Sequence, residues 1–325
     1  MAVTFWDRLR TLRRDVLGLN RRNHELGIAF NPPHLVALVD NKVATKDALA
    51  SARVPTPRTF ATFRTQASLS ALTEVLRESD NFVVKPARGA GGEGIVVIVS
   101  RRGDQFVKAS GELLSWPELH NHACEILAGA YALSETYDEV LVEERLDMHP
   151  GLSRFAFKGI PDVRVLLAFG VPILAMMRLP TRQSDGRANL HLGGIGVGLD
   201  LLRGTATHAV WKERPARFHP DTDAPLAELA VPFWDRLLAV AAACFDCVPL
   251  GYLGVDLVVD PHRGPCVLEL NARPGLGIQL ANHVGLRPLL QEVLLRSGTR
   301  KLPADDRVAL GLEIYRKHVR PEDSA

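Results

Sequence analysis

Residues 82–100 read FVVKPARGAGGEGIVVIVS and contain a glycine-rich turn between two apolar runs. Gly89, Gly91 and Gly94 spell GxGxxG, a pattern that several unrelated phosphate-binding loops share. The flanking runs, FVVKP and GIVVIVS, are rich in Val and Ile and therefore predict two strands. The glycines alone do not decide which kind of loop this is, so the surrounding residues must decide it.

The residues around the glycines do not fit three common phosphate-binding loops. A dinucleotide-binding turn places a helix after its last glycine, whereas Gly94 is followed by the strand-like run IVVIV. A Walker A loop requires Lys and then Ser or Thr directly after that glycine, and this chain has Ile95. A protein-kinase loop fits as far as Val96, but its lysine follows the loop, and HRD and DFG come later. Here Lys85 precedes the glycines and neither triplet occurs.

The interpretation that fits these residues is a hairpin whose tip binds a polyphosphate through its backbone N–H groups. Lys85, on the strand before the loop, supplies a positive charge for the same anion. The glycines allow a close approach of the backbone and positive φ angles. On this stretch alone, a flexible turn without a ligand stays open as the alternative.

A second segment, GVDLVVDPHRGPCVLELNARPGLG, carries three oxygen-bearing side chains among Val and Leu. A turn about His262 and Arg263 would place Asp256 opposite Glu269, and side-chain alternation then puts Asn271 on the same face as Glu269. Facing carboxylates repel, so a bound cation is the natural resolution. Ligands that are all oxygen favour Mg²⁺ or Mn²⁺. The alternative is an exposed, charged hairpin edge.

The N-terminal part of the chain predicts a helix and an irregular segment. Residues 5–17 have apolar side chains at helical spacing with arginines around them, which predicts a basic amphipathic helix. We expect it to dock on its own domain, with a membrane or a partner as the alternative. The following GLNRRNHELGIAFNPP is interpreted as irregular, and NKVATKDALASA as a helix that ends before Pro55.

The rest of the chain mixes strands and helices without strict alternation. After Pro55 a short extended stretch and the helix LSALTEVLRES lead to the glycine-rich hairpin, and a helix over WPELHNHACEILAGA and a strand at EVLVEERL follow. DVRVLLAF and VPILAMMRL predict a hairpin turned at Gly170, and FWDRLLAVAAACF a helix. YLGVDLVVD and PCVLELN predict strands, and LRPLLQEVLLRS and ADDRVALGLEIYRKH short helices. Several strand-to-strand hairpins favour the α+β class.

The composition of the chain limits the classes of function to consider. The chain has 325 residues, of which 46% are hydrophobic, and a net charge of +2, so no overall field would recruit nucleic acid. It has neither an apolar run of about 18 residues for a membrane span nor a signal-peptide core, so we expect a cytoplasmic protein. Cys244 and Cys247 form a CxxC, but a zinc site needs a second pair, so we interpret them as buried residues.

Together these segments resemble the ATP-grasp superfamily, and within it the RimK-type, alpha-L-glutamate ligase-like branch. The resemblance covers almost the whole chain, including GLNRRNHELGIAFNPP, VVKPARGAGGEGI, LVEERL, DVRVLLAFGVPILAMMRLPTRQSDGRANLHLGGIGVG and LELNARPGLG. It implies two α+β subdomains that sandwich ATP, over residues 41–140 and 141–325. Residues 1–40 would then replace the fuller N-terminal domain that usually precedes the grasp, which leaves the substrate site less defined.

The resemblance also implies roles for individual residues. Nucleotide phosphate would be bound by Lys42, Lys85 and the loop glycines Gly89, Gly91, Gly92 and Gly94. Adenine would be read by the strand-to-hinge stretch Glu143, Glu144, Arg145 and Leu146. Arg164 and Arg178 would face the phosphates or an acyl-phosphate, Asn189 would lie near phosphate or metal, and Arg273 would hold the substrate carboxylate. Asp256, Glu269 and Asn271 match the family's Mg²⁺ ligands.

The implied activity is an ADP-forming, ATP-dependent carboxylate–amine ligase that acts through an acyl-phosphate. Its substrates would be small-molecule or peptide carboxylates and amines, with glutamate as one candidate. The alternatives are an ATP-grasp enzyme of phosphate transfer or sugar-polymer biosynthesis, and a nucleotide-binding scaffold without turnover. His149 and His191, near the hinge and in the ANLHLGG loop, are interpreted either as substrate contacts or as ordinary surface residues.

Overall fold

The computed structural model describes residues 13–89, 91–132, 137–296 and 298–324. Most of the predicted basic helix at 5–17 lies outside these residues. The described chain divides into two compact units. The smaller comprises Asp40–Asp47 and Thr56–Asp147, and the larger comprises the described residues up to Val39, Ala48–Pro55 and the described residues from Met148 onward.

The α-helices whose two ends both lie in the described residues are these. In chain order they are α1 Leu19–Arg21, α2 Pro33–Val39, α3 Lys42–Ser51, α4 Leu72–Val75, α5 Trp116–Leu127, α6 Trp234–Cys247, α7 Gly277–Asn282, α8 Leu286–Leu295 and α9 Ala304–Val319. The predicted helix LSALTEVLRES is the short α4 preceded by a 3₁₀ stretch, Ala67–Ala71. The predicted helices in the other segments are present.

The segment predicted to be irregular is helical instead. α1 continues into a π-helical stretch, Arg22–Ile28, and α2 then begins with Pro33 at its first position. Leu26 is the buried residue of the π-helical stretch, and the other residues of the stretch are half-buried or exposed. A helix with so narrow an apolar face has no 3.6-residue pattern in its sequence, which explains why the prediction was wrong.

The strands lie in two antiparallel sheets. They are β1 Thr59–Phe63, β2 Phe82–Pro86, β3 Val96–Arg102, β4 Gln105–Lys108, β5 Leu113–Leu114, β6 Val140–Glu143, β7 Asp162–Ala168, β8 Val171–Leu179, β9 Ile195–Leu199, β10 Ala206–Trp211, β11 Arg214–Pro215, β12 Tyr252–Asp260 and β13 Gly264–Asn271. Helices and hairpin-linked strands together confirm the α+β class.

In the smaller unit, the described strands form a six-stranded sheet in the order β1-β6-β2-β3-β4-β5. β2 and β3 pair antiparallel, so the glycine-rich turn joins two neighbouring strands, as predicted. α5 begins at a capping box formed by Ser115 and Glu118, and its buried Leu119 and Ile126 join Phe82 in the core of this unit. The glycine-rich turn therefore joins two paired strands of this sheet, and α5 packs in the same core.

In the larger unit, the described strands form a seven-stranded sheet in the order β11-β10-β9-β8-β7-β12-β13. The β7–β8 hairpin turns at Gly170, which has a φ of 81° and confirms the predicted turn. A Cβ at this position would lie 2.7 Å from side-chain atoms of Phe245 and Arg307, so only glycine fits. Strands β8, β7, β12 and β13 are consecutive neighbours, and they carry the charged residues described next.

Candidate active site

The β12–β13 hairpin brings the predicted metal ligands together. Asp256 pairs with Glu269, and Gly254 pairs with Asn271. The predicted register at the carboxylates is therefore confirmed. Asp256 is fully buried, whereas Glu269 and Asn271 are half-buried. The three oxygen-bearing side chains thus run from the core of the unit toward its surface.

Nearer the turn of this hairpin the register differs from the predicted one. Asp260 pairs with Gly264, so three residues form the loop, and the pairs next to it are shifted by one residue. A bulge at Leu268 absorbs the difference before the carboxylates are reached. The three-residue loop shifts the pairing by one residue and the bulge shifts it back. Asp256 therefore pairs with Glu269, as predicted.

Two arginines hold Asp256 from the neighbouring strands. Arg164 lies directly opposite Asp256 on β7, and it donates from Nε to Oδ1 at 2.7 Å and from Nη2 to Oδ2 at 2.6 Å. Arg178 on β8 donates from Nη2 to Oδ2 of Asp256 at 2.7 Å. Arg178 also forms a two-point pair with Asp162, at 2.5 and 2.6 Å. We call Asp162, Arg164, Arg178, Asp256 and Glu269 the arginine–carboxylate cluster.

Burial and charge act in opposite directions on the pKa values in this cluster. Burial raises the pKa of Asp256, but the charges of Arg164 and Arg178 outweigh it and hold the pKa well below its usual range. Burial raises the pKa of Asp162, and the nearby Asp256 adds to this effect against the charge of Arg178. Burial lowers the pKa of Arg178, but the two aspartates outweigh it and raise that pKa. Asp256 is therefore a carboxylate at neutral pH.

The donor chemistry fits a hard cation. Glu269 offers carboxylate oxygens and Asn271 an amide oxygen, and neither nitrogen nor sulfur ligands are needed. Oδ2 of Asp256 accepts two guanidinium N–H groups and Oδ1 accepts one, so Oδ1 keeps more capacity to accept a further partner. Among the described residues, no group of three His, Cys, Asp or Glu side chains is arranged to hold a metal.

Arg273 and Asn189 lie in loops of the same unit. Asn271 Oδ1 accepts the backbone N–H of Arg273 at 2.9 Å, and Arg22 donates to the carbonyl of Pro274 at 3.1 Å. The side chain of Arg273 is exposed. Asn189 Oδ1 accepts the backbone N–H of His191 at 3.0 Å and caps a short 3₁₀ helix. These contacts fix the loops, and the ligand contacts expected of both residues stay predictions.

In the smaller unit, Glu143 lies between two lysines. Lys46 on α3 donates to Glu143 Oε2 at 2.6 Å and to the carbonyl of Pro57 at 2.7 Å. Lys85 on β2 is paired with Glu143 Oε1. Burial raises the pKa of Glu143, but the charges of Lys85 and Lys46 outweigh it and lower that pKa. We call Lys46, Lys85 and Glu143 the lysine–glutamate cluster.

Lys46 was not among the predicted site residues. It lies one helical turn after Lys42 on α3, so both lysines project from one helix face. Lys46 is buried, whereas Lys42 is half-buried and donates to the carbonyl of Gly89 at 2.6 Å. Which lysine is buried depends on the distant strand that carries Glu143. No local sequence signal could have separated them.

The side chains of the predicted adenine-binding stretch contact other residues of the smaller unit or are buried. Glu143 faces the lysines, and Glu144 Oε1 accepts the backbone N–H of Arg58 at 2.6 Å. Arg145 Nη2 donates to Asp147 Oδ1 at 2.6 Å, and Leu146 is buried. Backbone groups of this stretch remain the candidates for reading adenine, which stays a prediction.

The glycine-rich turn needs its glycines for two different reasons. Gly91, Gly92 and Gly94 have φ angles of 67°, 82° and 70°, which other residues rarely adopt. Gly89 is needed for space, because a Cβ there would lie 2.3 Å from Cγ of Pro86. The turn therefore has a defined backbone course in the described residues on either side of position 90.

The remaining candidates have ordinary structural surroundings. Cys244 and Cys247 are free cysteines, and burial raises the pKa of Cys244. His149 Nδ1 accepts the backbone N–H of Gly151 at 3.1 Å, and His191 is exposed. In the part of the chain that the structure describes, no helix is both long and apolar enough to cross a bilayer.

Comparison with known proteins identifies the family. Residues 21–294, most of the chain, match the family described as sugar-transfer associated ATP-grasp. A probable alpha-L-glutamate ligase from Legionella pneumophila is 28% identical over 156 residues, which is 48% of this chain and 37% of that relative. The chain thus matches well under half the length of this curated relative.

The chain also has low-identity similarity to solved structures. A D-alanine–D-alanine ligase from Bacillus anthracis is 15% identical with a TM-score of 0.44, covering 96% of this chain and 78% of that one. The ATP-grasp ligase PsnB complexed with a minimal precursor is 18% identical with a TM-score of 0.42, covering 82% of this chain and 63% of that one. From the family match, which spans most of its length, the chain belongs to the sugar-transfer associated ATP-grasp family and has the ATP-grasp fold.

Proposed function

We propose that this protein is an ATP-dependent carboxylate–amine ligase that releases ADP and phosphate. The observation that carries the proposal is the arginine–carboxylate cluster. Buried guanidiniums and carboxylates lie on four adjacent strands, and the cluster ends at half-buried oxygens of Glu269 and its neighbour Asn271. Such an arrangement suits a reaction in which phosphate charge must be neutralised at a fixed place.

The proposed reaction has two steps. A carboxylate oxygen of the substrate attacks the γ-phosphorus of ATP, the bond to the β-phosphate oxygen breaks, and ADP leaves with an acyl-phosphate formed. The amine nitrogen of the second substrate then attacks the acyl carbon, phosphate leaves, and the amine loses a proton to solvent. Neither step requires a covalent bond to the protein, so positioning and charge neutralisation provide the catalysis.

A divalent cation fits the cluster. Glu269, Asn271 and Oδ1 of Asp256 would hold Mg²⁺, or Mn²⁺ in its place, and the ion would neutralise negative charge on the phosphate oxygens. Arg164 and Arg178 donate hydrogen bonds from Nε and Nη2 to aspartate oxygens. We assign them first to orienting Asp256, with their Nη1 groups as contacts for the phosphates or the acyl-phosphate.

The other predicted residues keep proposed roles in the same reaction. Lys42 and Lys85 would bind nucleotide phosphate through their positive charges. Lys42 contacts the start of the glycine-rich turn, and Lys85 lies on the strand that leads into it. Arg273, with its exposed side chain, would hold the substrate carboxylate. The remaining proposed nucleotide contacts are Gly89, Gly91, Gly92, Gly94, Asn189 and the backbone of 143–146.

The proposed substrates follow from chemistry and from the relatives. An amino acid such as glutamate, added to a peptide or a small acceptor, agrees with the curated relative, a probable alpha-L-glutamate ligase. A second candidate is phosphate transfer or ligation in sugar-polymer biosynthesis. The family description, sugar-transfer associated ATP-grasp, favours this second candidate. A nucleotide-binding scaffold without turnover is the third.

One experiment separates these candidates. Purified protein is incubated with ATP and Mg²⁺ and with pools of amino acids, peptides and amino sugars, and ADP, AMP and phosphate are quantified while products are followed by mass. The ligase predicts ADP and phosphate only when a carboxylate and an amine are both present, with a product lighter by one water than their sum. A phosphorylated acceptor without phosphate release would favour phosphate transfer. AMP with pyrophosphate would contradict the acyl-phosphate route, and binding without turnover would favour the scaffold.

A further inference from the structure

Both ends of the glycine-rich turn contact one short segment that follows α5. Gly89, at the start of the turn, forms an antiparallel bridge with Ala132. Gly94, at its end, packs against the ring of Tyr131, since a Cβ on Gly94 would lie 2.6 Å from Cγ of that ring. Two consecutive residues therefore hold the two ends of the turn. No substitution of Gly94 would leave this contact unchanged.

A histidine on α5 completes the attachment at Gly94. His122 Nε2 lies 2.9 Å from the carbonyl oxygen of Gly94. Because a carbonyl oxygen only accepts hydrogen bonds, Nε2 must carry the proton and donate it. The carbonyl belongs to the residue two positions before β3, so this bond fixes the point where the turn becomes a strand.

The orientation of His122 is itself supported by neighbouring side chains. The hydroxyl of Tyr131 lies 3.4 Å from His122 Nδ1 and donates to Glu125 Oε2 at 2.9 Å. The two rings are 5.4 Å apart between centroids. His122 and Glu125 lie three residues apart on one face of α5. His122 is therefore held by its own helix and by the segment that contacts the turn.

We infer that His122 is a positioning residue for the nucleotide-binding loop, acting through the carbonyl of Gly94. This inference rests on the proposed function, because it takes the glycine-rich turn to be the phosphate-binding loop of an ATP site. His122 reaches the turn through its backbone and keeps the end of the loop in one place before nucleotide arrives. A loop that is already ordered loses less conformational entropy when it binds, so nucleotide affinity is higher with the histidine than without it.

The experiment uses three variants of the full chain. His122→Ala removes the bond to Gly94, and His122→Gln restores an N–H donor on a side chain of similar reach. His120→Ala is the matched control, because His120 is an exposed histidine on the same helix and contacts Cys124 rather than the turn. Amide hydrogen exchange of a peptide spanning the turn is measured without nucleotide, and affinity for the non-hydrolysable analogue AMPPNP with Mg²⁺ is measured by calorimetry.

The expected result is faster exchange in the turn of His122→Ala and AMPPNP affinity weakened roughly three- to tenfold, the effect of one lost hydrogen bond. His122→Gln should recover most of the slow exchange and most of the AMPPNP affinity, and His120→Ala should match the wild type in both measurements. Unchanged exchange in His122→Ala would overturn the attachment, and faster exchange with unchanged affinity would overturn its role in binding. If the wild type itself binds no AMPPNP, the proposed function fails, while the exchange measurement still decides whether His122 holds the turn.

Discussion

Each unit of this protein buries a carboxylate between two cations, yet the two clusters carry opposite net charge. In the lysine–glutamate cluster, Lys46 and Lys85 face the single carboxylate of Glu143, which leaves one positive charge. In the arginine–carboxylate cluster, two arginines face three carboxylates, which leaves one negative charge. Charge complementarity agrees with the proposed binding of phosphate near the first cluster and of a cation near the second.

The cations also differ in geometry. Lysine is a point charge on a flexible stem, which can exchange one oxygen partner for another at modest cost. Arg164 and Arg178 form two-point bonds with aspartates, which fix the direction of both partners. Under the proposed function, the lysine–glutamate cluster would exchange an oxygen partner for a ligand, whereas the arginine–carboxylate cluster would be a rigid support whose outer oxygens hold one.

The largest effect is expected when the rigid cluster loses its central charge. Asp256→Asn leaves two buried guanidiniums short of a partner, so the free energy of unfolding should fall by about 3–5 kcal/mol. Asp185→Asn is the control, because Asp185 is exposed in a turn of the same unit and should change stability by less than about 0.5 kcal/mol. Urea denaturation measures both. A loss at Asp256 no larger than at Asp185 would refute the central role of this carboxylate.

A somewhat smaller effect is expected at Glu143, with a defined dependence on pH. Glu143→Gln removes the carboxylate that Lys46 and Lys85 share and should cost about 2–4 kcal/mol at pH 7. Because the folded pKa of Glu143 is lowered, its stabilisation is present above the ordinary pKa and is lost as pH falls below it. The difference between wild type and variant should therefore shrink on acidification below about pH 4.5.

The control for Glu143 is Glu74→Gln, which changes an exposed glutamate of the same unit. Denaturation curves at a series of pH values give the comparison. A difference between wild type and Glu143→Gln that grows as the pH is lowered would contradict the assignment, since it would mean that Glu143 is neutral in the folded protein.

A third prediction concerns ligand binding by the lysine–glutamate cluster. Lys85→Ala should weaken ATP binding by about 1.5–3 kcal/mol, the value of a lost hydrogen bond to a charged group. Lys108→Ala, a lysine in a surface pair with Glu112, should leave the affinity unchanged. Calorimetric titration with ATP gives both values. Equal affinity in wild type and Lys85→Ala would remove Lys85 from the phosphate site.

The sequence predicted the part of the arginine–carboxylate cluster that depends on a single hairpin. The facing of Asp256 and Glu269 followed from two strand-like runs around a turn, although the sequence did not indicate the bulge at Leu268 that preserves this register. The bonds from Arg164 and Arg178 to Asp256 were not predicted, because they depend on the order of strands in the sheet. Strand order is set by the packing of the whole unit.

The sequence was least informative where a contact joins a helix to a distant strand or loop. Lys46 meets Glu143 across 97 positions of the chain, and His122 meets Gly94 across 28. Neither residue belongs to a motif, and in the sequence both resemble ordinary helix surface residues. Their roles became visible only from burial and from the identity of the group that each one contacts.

The smallest change in stability, and the most direct test of the central claim, is expected at Glu269. Glu269→Gln removes a charge that faces Asp256, so relief of repulsion should keep the change in stability within about 1 kcal/mol. Binding of Mn²⁺ is measured by electron paramagnetic resonance with AMPPNP present, in wild type, in Glu269→Gln and in Glu213→Gln, an exposed control. We predict that the wild type and Glu213→Gln bind Mn²⁺ alike and that Glu269→Gln binds at least about tenfold more weakly. Equal Mn²⁺ affinity in all three proteins would contradict the account.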